Sequence, residues 1–291
     1  MFMTEAVRDP QSFKKYVSSL KPIWCPGCGD YAVLTSLAKA FAEMNYETAD
    51  TAVITGIGCS SRLPGYLNTY GFNSIHGRAI PIATGLKISR PDINVVVAGG
   101  DGDMFAIGGG HMAHVVRRNI DMTLLVMDNN IYGLTKGQAS PTTPLGTKTS
   151  TTAYGSISTP IRPLNVMLGY NCSFIAQTSS VDPVHLTKMI VEAMKHKGFS
   201  CVNILSPCVT YRGNEEYQHI KGNTRYLDES YDPADGVNAW KTVSTTEKYL
   251  MGVIHKKARA TYHEQVNHLR DSSVKGGVAP SLEDEMKLFL A

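Results

Sequence analysis

Long apolar runs are missing from this 291-residue chain. No stretch approaches the roughly 20 residues that a bilayer-spanning helix needs. The opening Met1-Phe2-Met3-Thr4-Glu5-Ala6-Val7-Arg8-Asp9-Pro10 has acidic residues and no apolar signal region. These absences predict a soluble, cytoplasmic protein with no membrane role. Charge is also scarce: 18% of residues are charged and the net charge is +3. No Lys/Arg run has the density that nucleic acid requires, so it is not an expected partner. No internal repeat is visible. Cysteine is limited to six residues, and in a reducing compartment a Cys-x-x-Cys pair is more often metal-binding or redox-active than a structural disulfide.

A hydrophobic content of 43% is enough to bury a large core, as one large domain or two small ones. Short β-branched runs at Thr51 to Thr55, Asn94 to Ala98, Met122 to Met127, Ser173 to Ala176 and Cys201 to Leu205 read as strands. Helical patterns separate most of them. Asp30 is placed to cap a helix through Met44, and Asp182-Pro183 to open another through about His196, before Gly198. Fully apolar strands such as Val95-Val96-Val97-Ala98 imply burial on both faces. The predicted fold is therefore α/β, a mainly parallel sheet with helices on both faces. Ligands in such folds gather at the strand C-termini.

Four of the cysteines fall at Gly- and Pro-marked bends beside strands: Cys25 and Cys28 in Trp-Cys-Pro-Gly-Cys-Gly-Asp, Cys59 in Gly-Ile-Gly-Cys-Ser-Ser, and Cys208 in Leu-Ser-Pro-Cys-Val. Their spacing allows zinc, an iron–sulfur cluster or a redox disulfide. Cys172 and Cys201 sit in apolar, β-like runs and read as buried hydrophobes. Another strand ends at Gly99-Gly100-Asp101-Gly102-Asp103, where glycines let the backbone approach a phosphate and a carboxylate can hold a bridging divalent cation. The next strand ends in Asp128-Asn129-Asn130-Ile131-Tyr132-Gly133. The Asn129 side chain and the Ile131 carbonyl can complete that hard-cation site with Asp101. Between the two, Gly108-Gly109-Gly110 opens a helix whose N-terminus favours anions.

Gly100-Asp101-Gly102 followed by a helix, a strand and Asn129-Asn130 resembles the diphosphate motif of thiamine diphosphate enzymes, in which Asp and Asn ligate magnesium. Taken with the cysteine segments, His76-Gly77-Arg78-Ala79 and Tyr132-Gly133-Leu134-Thr135-Lys136-Gly137-Gln138, the chain resembles the β subunit of 2-oxoacid:ferredoxin oxidoreductases over roughly residues 20 to 210. That resemblance implies a thiamine diphosphate-binding fold, Mg2+ on Asp101, Asn129 and Ile131, and one 4Fe-4S cluster on Cys25, Cys28, Cys59 and Cys208. It implies cofactor contacts from Gly58, Cys59, Ser60, His76, Gly77, Gly100, Asp101, Gly102, Asp103, Asn129, Ile131, Tyr132, Gly133, Leu134 and Thr135. Arg62, Lys136 and His76 are the candidate catalytic residues, the first two as cations for an anionic substrate or coenzyme A. Asp103 can alternatively cap the helix that follows it.

The repeated cysteine runs of a ferredoxin-like domain are absent, so electrons would leave one cluster directly for ferredoxin. The family's catalytic glutamate belongs to an α subunit, so the chain is expected to work only as αβ or a dimer of αβ. The implied reaction converts a 2-oxoacid and coenzyme A to acyl-CoA and CO2, or the reverse. The stretch Cys59-Ser60-Ser61-Arg62-Leu63-Pro64-Gly65-Tyr66 is more similar to 2-oxoglutarate-using members, favouring 2-oxoglutarate and succinyl-CoA over pyruvate or a broad range. The competing classes are a non-redox thiamine enzyme with structural cysteines, and an electron-transfer module without thiamine. Residues 1–210 form the expected cofactor domain. Residues 211–291 form an extension that covers the cluster or contacts the partner, with helical patterns at Thr246 to His268 and Ser281 to Leu290 and a connector at Ser272 to Gly277.

Overall fold

The computed structural model describes residues 12–275 and Met286. Its strands are β1 (Thr51–Thr55), β2 (Tyr70–Asn73), β3 (Asn94–Gly100), β4 (Thr123–Asp128), β5 (Ile131–Tyr132), β6 (Gln138–Ala139), β7 (Phe174–Ser179), β8 (Ser200–Leu205), β9 (Thr224–Tyr226) and β10 (Tyr249–Lys256). Its helices are α1 (Asp30–Met44), α2 (Ala79–Ser89), α3 (Gly109–Arg118), α4 (Pro163–Gly169), α5 (Pro183–Lys195), α6 (Val209–Arg212), α7 (Glu215–Gly222), α8 (Gly236–Thr245) and α9 (Tyr262–Lys275). Eight strands form one sheet in the order β2-β1-β3-β4-β8-β7-β10-β9, and β5 and β6 make a separate antiparallel hairpin. Within the large sheet every neighbouring pair is parallel except β7 with β10. Among the described residues no helix is long and apolar enough to cross a membrane.

Successive side chains of a strand point to opposite faces, so a wholly apolar strand feeds two cores. Val95 and Val97 of β3 and Leu124 and Val126 of β4 pack in one layer with residues of α2, α3 and α8. Val96, Ala98, Leu125 and Met127 pack in the other with α1 and α5. Each fully buried Val or Leu contributes about 1.5–3 kcal/mol of transfer free energy. Cys201 in β8 and Cys172 just before β7 are buried in the first layer, as expected of small hydrophobes.

Asp182 caps α5, its carboxylate accepting from His185 N at 3.0 Å, with Pro183 at the first helical position. Asp30 differs from expectation: Gly29 is the N-cap of α1, and Asp30 is the first helical residue. Its carboxylate is buried and accepts from Ser206 Oγ at 3.2 Å, so it is anchored to the end of β8 rather than to its own helix.

The chain after Cys208 also departs from its local pattern. The helical period over Thr246 to His268 is broken at Tyr249–Lys256, which pairs antiparallel with β7 and parallel with β9. Gly252 has φ +134°, outside helical space, and the exposed edge of β7 offers ladder hydrogen bonds that local helix propensity cannot match. Ser272–Lys275, expected as a connector, continues α9. Gly276, Gly277 and the pattern over 281–290 lie outside the described residues, Met286 apart.

Candidate functional site

The C-terminal ends of four parallel strands converge on one edge of the sheet. After β1 the chain turns through Gly56–Cys59, after β3 it reaches Asp101, after β4 Asn129, and after β8 Cys208. Between the first three lies a cavity of about 70 Å3. Gly58, Cys59, Ser60, His76, Gly100, Asp101, Gly102, Asp103, Asn129, Ile131, Tyr132, Leu134 and Thr135 all line it. Gly77 and Gly133 are not in the lining, although each adjoins a residue that is, His76 and Tyr132. Arg62 and Lys136 are exposed and lie outside it, Lys136 next to Thr135 and Arg62 two residues past Ser60.

Asp101 and Asp128 are a buried carboxylate pair, 1% and 5% exposed. Thr142 Oγ1 lies 2.7 Å from Asp101 Oδ2 and 3.0 Å from Asp128 Oδ1. A hydroxyl has one proton, so it cannot donate to both, and the pair is one positive group short. Asn130 Nδ2 supplies a further bond to Asp128 Oδ1 at 2.9 Å. Burial raises the pKa of Asp101, while burial first and then the neighbouring Asp101 charge push Asp128 up to about 7. A divalent cation on Asp101 would relieve this deficit, with the Asn129 side chain and Ile131 carbonyl beside it. The donor set therefore fits magnesium.

Asp103 opens a π-helical turn, Asp103–Ile107, whose N-cap is Gly102, so its side chain does not cap that turn. Its Oδ1 instead reaches back across the site to His76 Nδ1, to Gly77 N at 2.7 Å and to Ile57 N at 3.4 Å. Oδ2 of Asp103 is buried without a partner. The Tyr132 ring lies edge-on to His76 and against Gly102, where a Cβ would sit 2.1 Å from Tyr132 Cε1. Only glycine fits beneath that ring.

The cysteine loops join this cavity directly. Cys28 N donates to Cys25 O at 3.0 Å, closing the Cys-Pro-Gly-Cys turn, and Trp24 Nε1 donates to Cys59 O at 2.8 Å, tying that turn to the loop after β1. A Cβ placed on Gly133 would lie 3.5 Å from Cys208 Sγ, 3.8 Å from Cys59 Sγ and 4.0 Å from Asn129 Nδ2. Two of the thiols and the Asn129 side chain thus meet beside Gly133. Burial pushes the Cys59 thiol up to about 11 and raises Cys28 and Cys208. The buried Asp30 charge raises Cys28 and Cys59 further, and the thiols themselves add smaller amounts, Cys59 and Cys208 on Cys28 and Cys208 and Cys25 on Cys59. Such thiols ionise readily only around a shared cationic centre. Cys28 and Cys59 each feel the charge of Cys208, and Cys59 that of Cys25, so the four thiols are gathered at this edge, and a set of four thiolate donors fits an iron–sulfur group.

Sequence reasoning missed Asp128, Thr142 and the buried Asp30, which also lines the cavity. Asp128 adjoins Asn129, a usable signal. Thr142 lies in an irregular loop and carries none.

Residues 56–204, which carry every residue of the cavity's lining but Asp30, match the family model described as thiamine pyrophosphate enzyme, C-terminal TPP binding domain. Residues 208–271 match the model for the C terminal of the pyruvate ferredoxin oxidoreductase beta subunit. The 2-oxoglutarate synthase subunit KorB of Archaeoglobus fulgidus is 38% identical over 257 residues, covering 88% of this chain and 93% of that one. The 2-oxoglutarate oxidoreductase subunit KorB of Mycobacterium tuberculosis is 46% identical over 199 residues, 68% of this chain and 53% of its own length, so the aligned stretch spans about half of that relative. A solved 2-oxoglutarate:ferredoxin oxidoreductase from Magnetococcus marinus, with 2-oxoglutarate, coenzyme A and succinyl-CoA bound, superposes with a TM-score of 0.90 at 36% identity over 98% of both chains. Fold and site define a thiamine diphosphate-binding subunit of an oxidoreductase. The chain belongs to the β-subunit family of the 2-oxoacid:ferredoxin oxidoreductases.

Proposed function

We propose that this chain, together with an α subunit, interconverts 2-oxoglutarate plus coenzyme A with succinyl-CoA plus CO2 and exchanges electrons with ferredoxin. The observation that carries the reading is the meeting of Cys59, Cys208 and Asn129 around Gly133. Cys59 belongs to both the thiol quartet and the cavity. Thiamine diphosphate supplies the carbon nucleophile and electron sink for decarboxylation, and a 4Fe-4S cluster on Cys25, Cys28, Cys59 and Cys208 takes the electrons singly.

The chain's own residues then have separable tasks. Asp101, Asn129 and the Ile131 carbonyl hold Mg2+, the glycines at 58, 100 and 102 let the backbone approach the diphosphate, and Gly77 is fixed beside it by its bond to Asp103. Asp103 orients His76 by engaging its Nδ1, leaving Nε2 for the cofactor or substrate. Arg62 and Lys136, exposed near the mouth, meet the carboxylates of the oxoacid or the anionic coenzyme A. The cavity of about 70 Å3 takes the diphosphate end of the cofactor in this reading, and the rest of the thiamine lies on surface completed by the α subunit.

Residues 1–210 carry the cofactors and residues 211–291 form the extension in this reading. Two contacts support a covering role for the extension: Tyr217 Oη donates to Gly27 O at 2.6 Å, and the Tyr211 ring stands over Gly137. The named substrates of similar proteins favour 2-oxoglutarate.

Anaerobic co-purification with the α subunit tests both cofactors through iron, sulfide and thiamine content. Steady-state assays with 2-oxoglutarate, pyruvate and indolepyruvate test the substrate. Absence of iron–sulfur absorbance would overturn the redox reading, and a larger kcat/KM for pyruvate would overturn the substrate.

A further inference from the structure

One thiol of the quartet differs from the others in its surroundings. Cys25 is exposed, whereas Cys28, Cys59 and Cys208 are partly buried. A group held by all four comes closest to solvent beside Cys25. The surface there is built from the segment that leads into the cysteine turn. Ser18 N donates to Tyr66 O at 2.9 Å, Ile23 N donates to Tyr66 Oη at 3.1 Å, and the Trp24 ring meets the Tyr66 ring edge-on at 4.8 Å. Lys21 lies between these anchors, four residues before Cys25, so the two backbones are within about 14 Å of each other. Asn68 Nδ2 donates to Lys15 O at 3.0 Å, which fixes Lys15 on the same flank. Both lysines are exposed, and so are Leu20 and Ile23, at 61% and 67%. None of the four lines the cofactor cavity.

Charge is distributed unevenly on this face. From Ser12 to Gly29 the chain carries three lysines and no acidic residue. The next carboxylate, Asp30, is buried, as are Asp101, Asp103 and Asp128 at the same edge of the sheet. Glu47, Asp50 and Asp92 are exposed, but they precede β1 and β3 at the opposite edge. On α7, whose Tyr217 Oη reaches Gly27 O, Glu216 is paired with Arg212 at 3.0 Å and the Glu215 carboxylate is turned against Gly213. Among the described residues neither Lys15 nor Lys21 is paired with a carboxylate. Cations beside exposed apolar side chains fit an acidic protein, the charges steering encounter and the apolar groups holding the contact. We infer that the face around Cys25, formed by Lys15, Leu20, Lys21 and Ile23, is the docking surface for an acidic one-electron carrier of the ferredoxin kind. The inference rests on the redox reading above and adds to it the place and the chemistry of the contact.

The test is calorimetric titration of the αβ complex with an oxidised, acidic bacterial ferredoxin. Reversing both charges, Lys15→Glu together with Lys21→Glu, should raise the Kd at least about tenfold at low ionic strength, and the difference should shrink as salt is added. Lys197→Glu makes the same kind of charge change on an exposed residue at the opposite edge and should leave the Kd at the wild-type value. An unchanged Kd in the double variant overturns the inference, as does an equal loss in the Lys197→Glu variant, which would show an effect of net charge alone. A double variant that no longer retains the α subunit also overturns it, because the face would then belong to that interface. Iron and sulfide are measured on the same samples. A wild-type complex lacking both overturns the redox reading and the inference with it, whereas a loaded complex with unchanged Kd on charge reversal overturns the docking surface alone.

Discussion

At the N-terminal edge of the parallel strands Asn119 is fully buried with its amide fully used. Its Oδ1 accepts from Ser173 Oγ at 2.7 Å and Phe199 N at 2.9 Å, and its Nδ2 donates to Arg259 O and Ala260 O at 2.9 and 3.3 Å. At the C-terminal edge Asp101 and Asp128 share one hydroxyl proton, and Asp103 Oδ2 and Asn203 Oδ1 have no donor. The same sheet therefore buries polar groups in two ways. The first set closes on itself and holds loops together. The second is short of positive groups and donors, the condition that a metal ion would relieve.

Removing Cys59 should produce the largest effect, because it serves both the thiol quartet and the cavity. Cys59→Ser is expected to reduce the iron content of the purified αβ complex to near background and abolish ferredoxin reduction. Retention of full iron would remove Cys59 from the cluster. Asp101→Asn should weaken magnesium-dependent thiamine diphosphate binding by more than about 100-fold, beyond the 10–100-fold typical of an outer partner. Fluorescence titration measures this, and an unchanged affinity would break the contrast between the two edges.

Asn119→Ala makes the opposite prediction. It should destabilise the fold by about 2–3 kcal/mol through its orphaned partners, read by denaturant unfolding, while thiamine diphosphate affinity stays at the wild-type value. A loss of cofactor affinity at unchanged stability would show that this edge is not merely structural. Thr142→Val should sharpen the comparison from the other side, lowering magnesium and thiamine diphosphate affinity about tenfold with little change in unfolding.

The smallest effect concerns pH. Burial holds the pKa of His196 below its ordinary value of 6.5, and the nearby Lys256 charge lowers it further. The folded state thus prefers neutral His196, whose ring nitrogen meets Ser173 Oγ at 2.9 Å. Its contribution is complete above pH 6.5 and is lost as pH falls from there through the lower folded pKa. The difference in unfolding free energy between wild type and His196→Gln should therefore narrow on acidification below pH 6.5, and a difference independent of pH would exclude protonation as the cause.

Legibility followed range along the chain. Asp101, Asn129 and the Cys-x-x-Cys turn stand in short motifs whose chemistry is local, and the apolar runs of β3 and β4 identify themselves as doubly buried strands. Asp128 and Thr142 are 14 residues apart, and Asn203 reaches Asp128 across 75. No periodicity reports such contacts. Strand β10 was hidden for a related reason: its helical pattern is local, and the free edge of β7 that captures it is not. Asp30 looks like a cap because it opens a helix, yet Ser206, 176 residues away, takes the carboxylate.

Sequence by itself determined the α/β class, the parallel core and the resemblance to a two-cofactor oxidoreductase subunit, because periodicity and glycine-rich strand ends are properties of neighbouring residues. Tertiary structure alone decided that Cys59, Cys208 and Asn129 meet around Gly133, that Asp128 joins Asp101 through Thr142, and that Asp128 also lines a second cavity. The physical reason is that strand order, 1-3-4-8 in the middle of the sheet, brings distant loops to one edge, and burial there raises the cost of every polar group left without a partner.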